Sequence, residues 1–423
     1  MAIHRVPERF ALLKDGVLLK MRQILAALLL AHALLPWSTA AAAARRAAVL
    51  LIPLDKNAHV AVARFTEYLE ESVNRFGTYQ LKESAVVLGG SSPTPALEAR
   101  KRVLLAVTQG RKLLLAGQFD EAEAKFRAAL LDVDVASAAM ERCSEYCDLL
   151  ANISSVQLMK GEERGARDSL KQLLALEKGY KFEGPAFGKS FQVLLREVQK
   201  GLTRDALLGS LTVQTNPPGG RVFLEGVYRG YAPITLDRLP VGKHLLRIER
   251  AGSTTYGTLV EVAAGDESVI RPKLAPTAEY AALESSLDRV ADEFERGAAG
   301  AELMKMGARL KVDRALIGVV RTNETRVVVD CVFADFASRR KLARRTRTFE
   351  GEEYGELEKE VQRFGNLLLA EGENRPREGA RHARDPLDSH TGMEDWDEEN
   401  GSVGARDEPG RAPPKVKKGE SGE

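Results

Sequence analysis

The chain has 423 residues, 44% of them hydrophobic and 29% charged, with a formal net charge of +2. At about 100 to 200 residues per domain that length holds several domains, and the composition excludes both a membrane bundle and a wholly disordered chain. The near-neutral balance leaves no global attraction for nucleic acid, so no nucleic-acid partner is expected.

Residues 1–44 read as a leader. Ile24 to Trp37 is almost wholly apolar, Lys20 and Arg22 precede it, and small residues from Ser38 to Ala44 follow, which is the order of a secretory signal. Met21 opens a compact signal by itself, so the residues before it are expected to form no fold. A retained membrane anchor is the alternative; Pro36, Ser38 and the alanine run argue against it. No cysteine follows the apolar run, which leaves a lipid anchor unsupported, and no later stretch is long and apolar enough to span a bilayer. Export to a bacterial periplasm or cell envelope is the expectation, with no integral span once the leader is removed.

Residues 45–90 read as β-α-β. The apolar run 47–54 is a strand, Ala61 to Phe76 a helix with Phe65, Leu69 and Val73 at helical spacing, and 78–88 a second strand. The Gly/Ser/Pro cluster from Gly89 to Pro95 marks a boundary.

Residues 96–201 are helical in pattern. Gly117, Phe119, Ala122, Phe126 and Ala129 fall where two packed helices need a tight turn, a wedge and small contact residues, and Gly110 with Leu113 occupies the matching face of the preceding helix. The set resembles a tetratricopeptide repeat, which implies a groove for a partner helix or peptide. It departs from that pattern at the end of the unit, where Asp134 stands in place of the usual proline. A weaker copy has Gly161, Ala166, Leu170 and Leu173, at an offset longer than the family's period of about 34 residues. An irregular bundle of helical hairpins is the alternative. Within this segment Cys143 and Cys147 stand four apart in a predicted helix. So short a loop gains little from a bond and would strain a helix, so buried or free thiols are expected. A metal pair is less expected still, because no histidine or further cysteine is near. Gly184, Gly188, Lys189 and Ser190 imitate a phosphate-binding loop, but three residues separate the glycines where four are needed, and a helix start near Pro185 is the ordinary reading.

After Leu208 the period becomes alternating. Leu211 and Val213, Val222 and Leu224, Ile234 and Leu236, and Leu246 and Ile248 form pairs on one face, separated by turn residues. Residues 209–274 resemble the PEGA domain through Thr215, the turn Pro217, Pro218, Gly219 and Gly220, then Gly226 and Gly230, Ala232 with Pro233, and Leu239 with Gly242 and His244. Gly220 replaces the alanine that gives the family its name. The resemblance implies a small all-β module of exported or surface proteins, without catalytic residues and serving structure or binding. His244, between strand apolar residues, reads as a satisfied structural histidine.

Residues 277–371 read as an α/β segment. A helix from Ala281 to Leu310 is followed by two strands joined near Asn323 and Glu324, a third strand-like run at 339–349, and a helix with Tyr354, Leu357, Val361, Phe364 and Leu368 on one stripe. Val327, Val329, Cys331 and Phe333 share a face, which makes Cys331 buried and unreactive. Arg339, Arg340, Lys341, Arg344, Arg345 and Arg347 read as a solvated strand face, with an anionic partner as the alternative. The order resembles the closing half of the amino-terminal domain of Tol-system periplasmic proteins and curli-secretion lipoproteins, through Gly307, Ala308 and Arg309 before a strand containing Gly318. The β-α-β opening resembles its first half. A single α/β domain split by an insertion is therefore expected. The polar tail, 372–423, is expected to be disordered, with charge blocks that are solvated or dock on an envelope partner.

The fold class is multidomain α+β: a helical-repeat segment, a small all-β domain, and a split α/β domain. Of six histidines, at 4, 32, 59, 244, 382 and 390, only His59 and His244 lie outside leader and tail. Glu70 with Glu71 and Glu352 with Glu353 sit on polar faces, and no Ser, Cys or Lys nucleophile has a recognisable setting. The expectation is a non-catalytic binding or scaffold protein of the envelope with a protein or envelope partner, no cofactor and an oligomeric state left open. A ligand-sensing or enzymatic α/β domain is the alternative, and a deep pocket with converging polar groups would favour it over shallow grooves.

Overall fold

The computed structural model describes residues 45–204, 207–297, 300–323, 325–350 and 354–373. The leader and nearly all of the tail, with Glu352 and Glu353, lie outside the described residues. The chain is mixed α+β.

Strand β1 (Arg45–Pro53) is buried from Ala47 to Ile52, as an unbroken apolar run requires when both faces of a sheet are covered. It is followed by α1 (Ala58–Phe76) and a short β2 (Tyr79–Leu81). The second strand expected over 78–88 ends at Leu81; Ser84–Val87 forms a turn of helix, α2, whose first amide donates to Glu70 Oε1 at 2.5 Å. At the other end of the chain stand α8 (Ala278–Glu295), α9 (Ala301–Leu310), β10 (Arg314–Asn323), β11 (Arg326–Asp335), β12 (Arg340–Glu350) and α10 (Tyr354–Glu373). The single helix expected from Ala281 to Leu310 is broken. Gly297 has φ +73°, and the Glu293 carboxylate accepts the amides of Gly300, Glu302 and Leu303 at 2.8–3.0 Å, capping the second helix.

These pieces form one five-stranded sheet in the order β12-β11-β10-β1-β2, with β1 and β10 parallel from Ala47↔Arg314 to Pro53↔Val320. Phe65 and Leu69 of α1 and Val361, Phe364 and Leu368 of α10 cover one face with Val49, Leu51, Cys331 and Phe333. Leu283, Leu287 and Val290 of α8 and Leu303 and Met306 of α9 cover the other. The Asp55 carboxylate fixes the end of β1: it accepts from the Asn57 and Ala58 amides at 2.9 Å and from Thr322 N and Oγ1 at 2.7 Å. Three residues of the basic run are ion-paired: Arg344 with Asp330 at 2.6 Å, Arg345 with Glu371 at 2.9 Å and Arg347 with Glu360 at 3.3 Å. Helix α10 runs past the expected tail boundary at 372, because Glu373 joins the buried Arg314 guanidinium and the Tyr79 hydroxyl.

Between the halves lie helices α3 (Thr94–Leu115), α4 (Phe119–Ala136), α5 (Ser144–Met159), α6 (Glu163–Leu176) and α7 (Lys189–Arg204), packed round one core. Gly110 faces the Phe126 ring so closely that no Cβ fits, and Gly117 has φ +78° in the turn between α3 and α4. Ala122, Phe126 and Ala129 are buried there, with Phe119 packed at the margin. Pro185–Phe187 is a 3-10 turn before α7.

Cys143 and Cys147 are bonded, which corrects the expectation of thiols. Cys143 is the N-cap residue of α5 and lies outside the helix, so its Cα approaches that of Cys147 to 5.5 Å, well inside bridging range. Glu177 brings a carboxylate within 4.8 Å of both sulfurs, a proximity the sequence spacing hides. Cys331 is buried and its thiol is pushed well up by desolvation. Alkylation of the unfolded, unreduced protein is therefore expected to label Cys331 alone; labelling at Cys143 or Cys147 would contradict the bond.

Candidate functional site

The β-domain is a small sandwich. A three-stranded sheet, β6-β3-β9, is built from β3 (Leu208–Val213), β6 (Ile234–Pro240) and β9 (Glu267–Ile270). A four-stranded sheet, β5-β4-β7-β8, is built from β4 (Arg221–Leu224), β5 (Val227–Tyr231), β7 (Gly242–Glu249) and β8 (Tyr256–Val262). Leu211, Val213, Val222, Leu224, Leu246 and Ile248 fill the space between, with Ile234 and Leu236 at the margin, so all four alternating pairs point to one core.

Both neighbours dock on this sandwich. On the helical side the Asp134 carboxylate accepts from Thr258 Oγ1 at 2.8 Å and from Leu259 N at 2.7 Å, and Gln172 exchanges two hydrogen bonds with the Lys243 main chain. The residue that replaces the expected proline is thus an inter-domain fastener. On the other side Tyr231 donates to Glu67, Gly252 N donates to the Gly89 carbonyl at 3.1 Å, and Gly219, at φ +85°, lies so near α1 that a Cβ would stand 2.7 Å from the His59 carbonyl oxygen. A side chain at 219 would push the two domains apart.

A cavity of about 420 Å³ lies in this second junction. One wall is β1 from Val49 to Pro53 and the α1 face carrying His59, Thr66 and Glu70; the opposite wall carries Gly219, Arg221, Tyr231 and Arg250. Arg250 Nε donates to the Pro218 carbonyl at 3.2 Å, and its terminal nitrogen lies 3.3 Å from His59 Nδ1. Among the described residues the Arg250 guanidinium has no carboxylate within ion-pair distance. Burial, and then the Arg250 charge, hold the His59 pKa below its ordinary value, so the ring is neutral near pH 7. With Nδ1 accepting from Arg250, its proton sits on Nε2. Burial pushes the Glu70 carboxyl up against the hydrogen bond from Ser84 N.

A family model for the PEGA domain matches residues 208–278. This segment is a PEGA domain. No curated protein and no solved structure matches the chain.

Within the PEGA domain the glycines singled out in the sequence take two kinds of work. Gly220 and Gly230 lie in tight turns or against side chains of their own domain, whereas Gly219, Gly226 and Gly242 put bare backbone against other domains, Gly226 meeting the Glu141 carbonyl and Gly242 the Gln172 side chain of the helical unit. The Asn216-Pro217 and Ala232-Pro233 peptide bonds are cis, and Pro218 supplies the carbonyl that Arg250 holds. Of the carboxylates assigned to polar faces, Glu71 pairs with Arg75 at 2.5 Å, as such a face implies, but Glu70 turns into the cavity. Arg250, Tyr231 and Glu67 each look like an ordinary surface residue in sequence; only the docking of the two domains converges them.

His244 is buried, with Nδ1 3.0 Å from Glu225 Oε1 and Nε2 2.7 Å from the Pro240 carbonyl. Burial pulls its pKa down, but the Glu225 carboxylate and the Pro240 carbonyl outweigh it and the net shift is upward. A histidine whose pKa is raised by folding contributes stability in full below its unfolded value of about 6.5, and loses it as pH rises through the folded value. His59, whose pKa is lowered, works in the opposite sense, so the comparison that isolates His244 is between wild type and His244→Gln. The wild-type advantage over the variant, about 1.5–3 kcal/mol for a buried charge-assisted hydrogen bond, is expected in urea unfolding near pH 6 and should shrink near pH 8.5. An advantage independent of pH would contradict a charged His244.

Proposed function

We propose that the protein is a non-catalytic, exported scaffold of the bacterial envelope whose PEGA domain is the hub for two binding units. The observation that carries this reading is the double docking of the PEGA domain: Asp134 on one side and Glu67 with Tyr231 on the other hold three modules in fixed relation. PEGA modules serve binding or scaffolding and are typical of exported proteins, which agrees with the leader-like sequence of residues 1–44. The helical unit is the partner-facing element, read as tetratricopeptide-like hairpins. It exposes Leu104, Leu105 and Leu115 of α3 and Leu131 and Val135 of α4, Leu131 at 82%, more apolar surface than isolated helices of a closed core need show. None of the described helices is long and apolar enough to cross a membrane. Catalysis is not part of the reading, because His59 hydrogen-bonds Arg250 and has no nucleophile or carboxylate partner at its ring nitrogens among the described residues.

A second reading, ligand sensing at the split sheet, is favoured by the cavity of about 420 Å³ and its converging Arg250, His59 and Glu70. The scaffold reading is tested by crosslinking and affinity capture from envelope fractions, with full-length protein, a form lacking residues 374–423, and the double variant Leu105→Glu, Leu131→Glu. Envelope proteins captured by the first two and lost with the third are the expected result. Capture of cytosolic proteins only, or capture indifferent to the double variant, would remove it.

A further inference from the structure

The cavity wall formed by β1 has a property that its side chains do not reveal. Main-chain groups alternate in direction along a strand. The Arg46 carbonyl accepts from Asp313 N at 2.9 Å and Leu54 N donates to the Val320 carbonyl at 2.9 Å, both on the β10 side. The Ala47 carbonyl accepts from Lys82 N at 2.7 Å, on the β2 side. Even-numbered residues of β1 therefore bond to β10, and Ala47, Val49, Leu51 and Pro53 face the other way. Strand β2 ends at Leu81, which pairs with Ala47. Beyond it Val49 and Leu51, 1% and 6% exposed, direct N–H and C=O groups into the cavity, and these meet no hydrogen-bond partner among the described residues. A buried main-chain group without a partner is costly, so a ligand that pairs with this edge gains on several groups at once.

The two ends of the edge differ in charge. At the carboxyl end of β1 stand the guanidinium of Arg250 and the Nε2–H of His59, which are donors. Helix α1 runs back along the strand, and the eleven steps from His59 to Glu70 advance about 16 Å, so Glu70, with Glu83 beside Ser84, lies at the amino end of the slot. We propose that the cavity binds a short zwitterionic peptide of about three residues, extended along β1 and parallel to it, with its carboxylate on Arg250 and His59 and its ammonium towards Glu70 and Glu83. The length follows from the edge: Val49 to Pro53 spans about 13 Å at about 3.3 Å per residue. The parallel sense follows from the donors lying at the carboxyl end, and it continues the line that β2 leaves at Leu81. Main-chain pairing supplies the affinity and the charged ends the selection, as in other cases where a peptide adds a strand to a sheet edge.

This assignment rests on the ligand-binding reading of the cavity, and the test separates the two. The full chain is titrated calorimetrically with the tripeptide Ala-Leu-Ala, with its carboxyl-amidated form and with its amino-acetylated form. Binding of the free peptide is expected, weakened at least tenfold by either cap, and the variant Arg250→Gln is expected to lose tenfold for the free peptide while binding the amidated form as wild type does. If capped and free peptides bind alike, the cavity is a peptide site but its ends are not read as assigned, which overturns the proposal and leaves the ligand-binding reading standing. If no form binds at millimolar concentration, the peptide assignment is overturned. The capped ligands keep the test decisive even if Arg250→Gln does not fold.

Discussion

The parallel pairing of β1 with β10 is the constraint on which the rest of the structure depends. It places residues 47–53 beside 314–320 in the middle of one sheet, so both ends of the described chain must fold together before either face of that sheet is covered. Closing a loop of that size costs about 5 kcal/mol in chain entropy beyond a constant if the insertion is slack. The insertion is not slack. Its two ends are pinned at one residue: Gly252 N donates to the Gly89 carbonyl at 3.1 Å, and the Gly252 carbonyl accepts from Thr277 N at 3.0 Å. Helices and PEGA domain therefore plug into the α/β domain through neighbouring ends, the arrangement that tolerated insertions share.

The same pairing creates the cavity. β1 is central to the sheet at its start, where β2 flanks it, and an edge from Val49 onward, where β2 has ended. An exposed edge of unpaired main chain invites aggregation, and proteins cover such edges with another element. Here the cover is the PEGA domain, which reaches over the edge with Gly219 and Arg250 and leaves a slot between. The glycine is needed because α1 passes at backbone distance; the arginine is held by the carbonyl of the adjoining proline turn. Turn chemistry of the PEGA module thus positions a charged group on a neighbouring domain's surface.

Much of this architecture was legible in the sequence. The alternating pairs of the PEGA core, the apolar run of β1 and the stripe of α10 announce themselves because periodicity reports which faces are buried. Gly110 and Phe126 stood out through the tetratricopeptide-like pattern, as residues of two facing helices, and the structure brings them into contact. Three things were not. The break near Gly297 depends on Glu293 reaching forward to cap the next helix, a contact that helical propensity does not encode. The disulfide depends on Cys143 standing one residue outside its helix, and boundaries are what patterns fix least. The cavity depends on which strand edge is left open, and a strand's sequence states what its side chains face but not what its main chain pairs with.

Amide hydrogen exchange along β1 in the full-length protein addresses the pairing directly. Leu50 and Ile52, whose amides bond to β10, are predicted to exchange only by large-scale unfolding, while Val49 and Leu51, whose amides face the slot, exchange faster by orders of magnitude. If Leu50 and Ile52 exchanged as readily as their neighbours, the two chain ends would not share a sheet and the account would be wrong at its base.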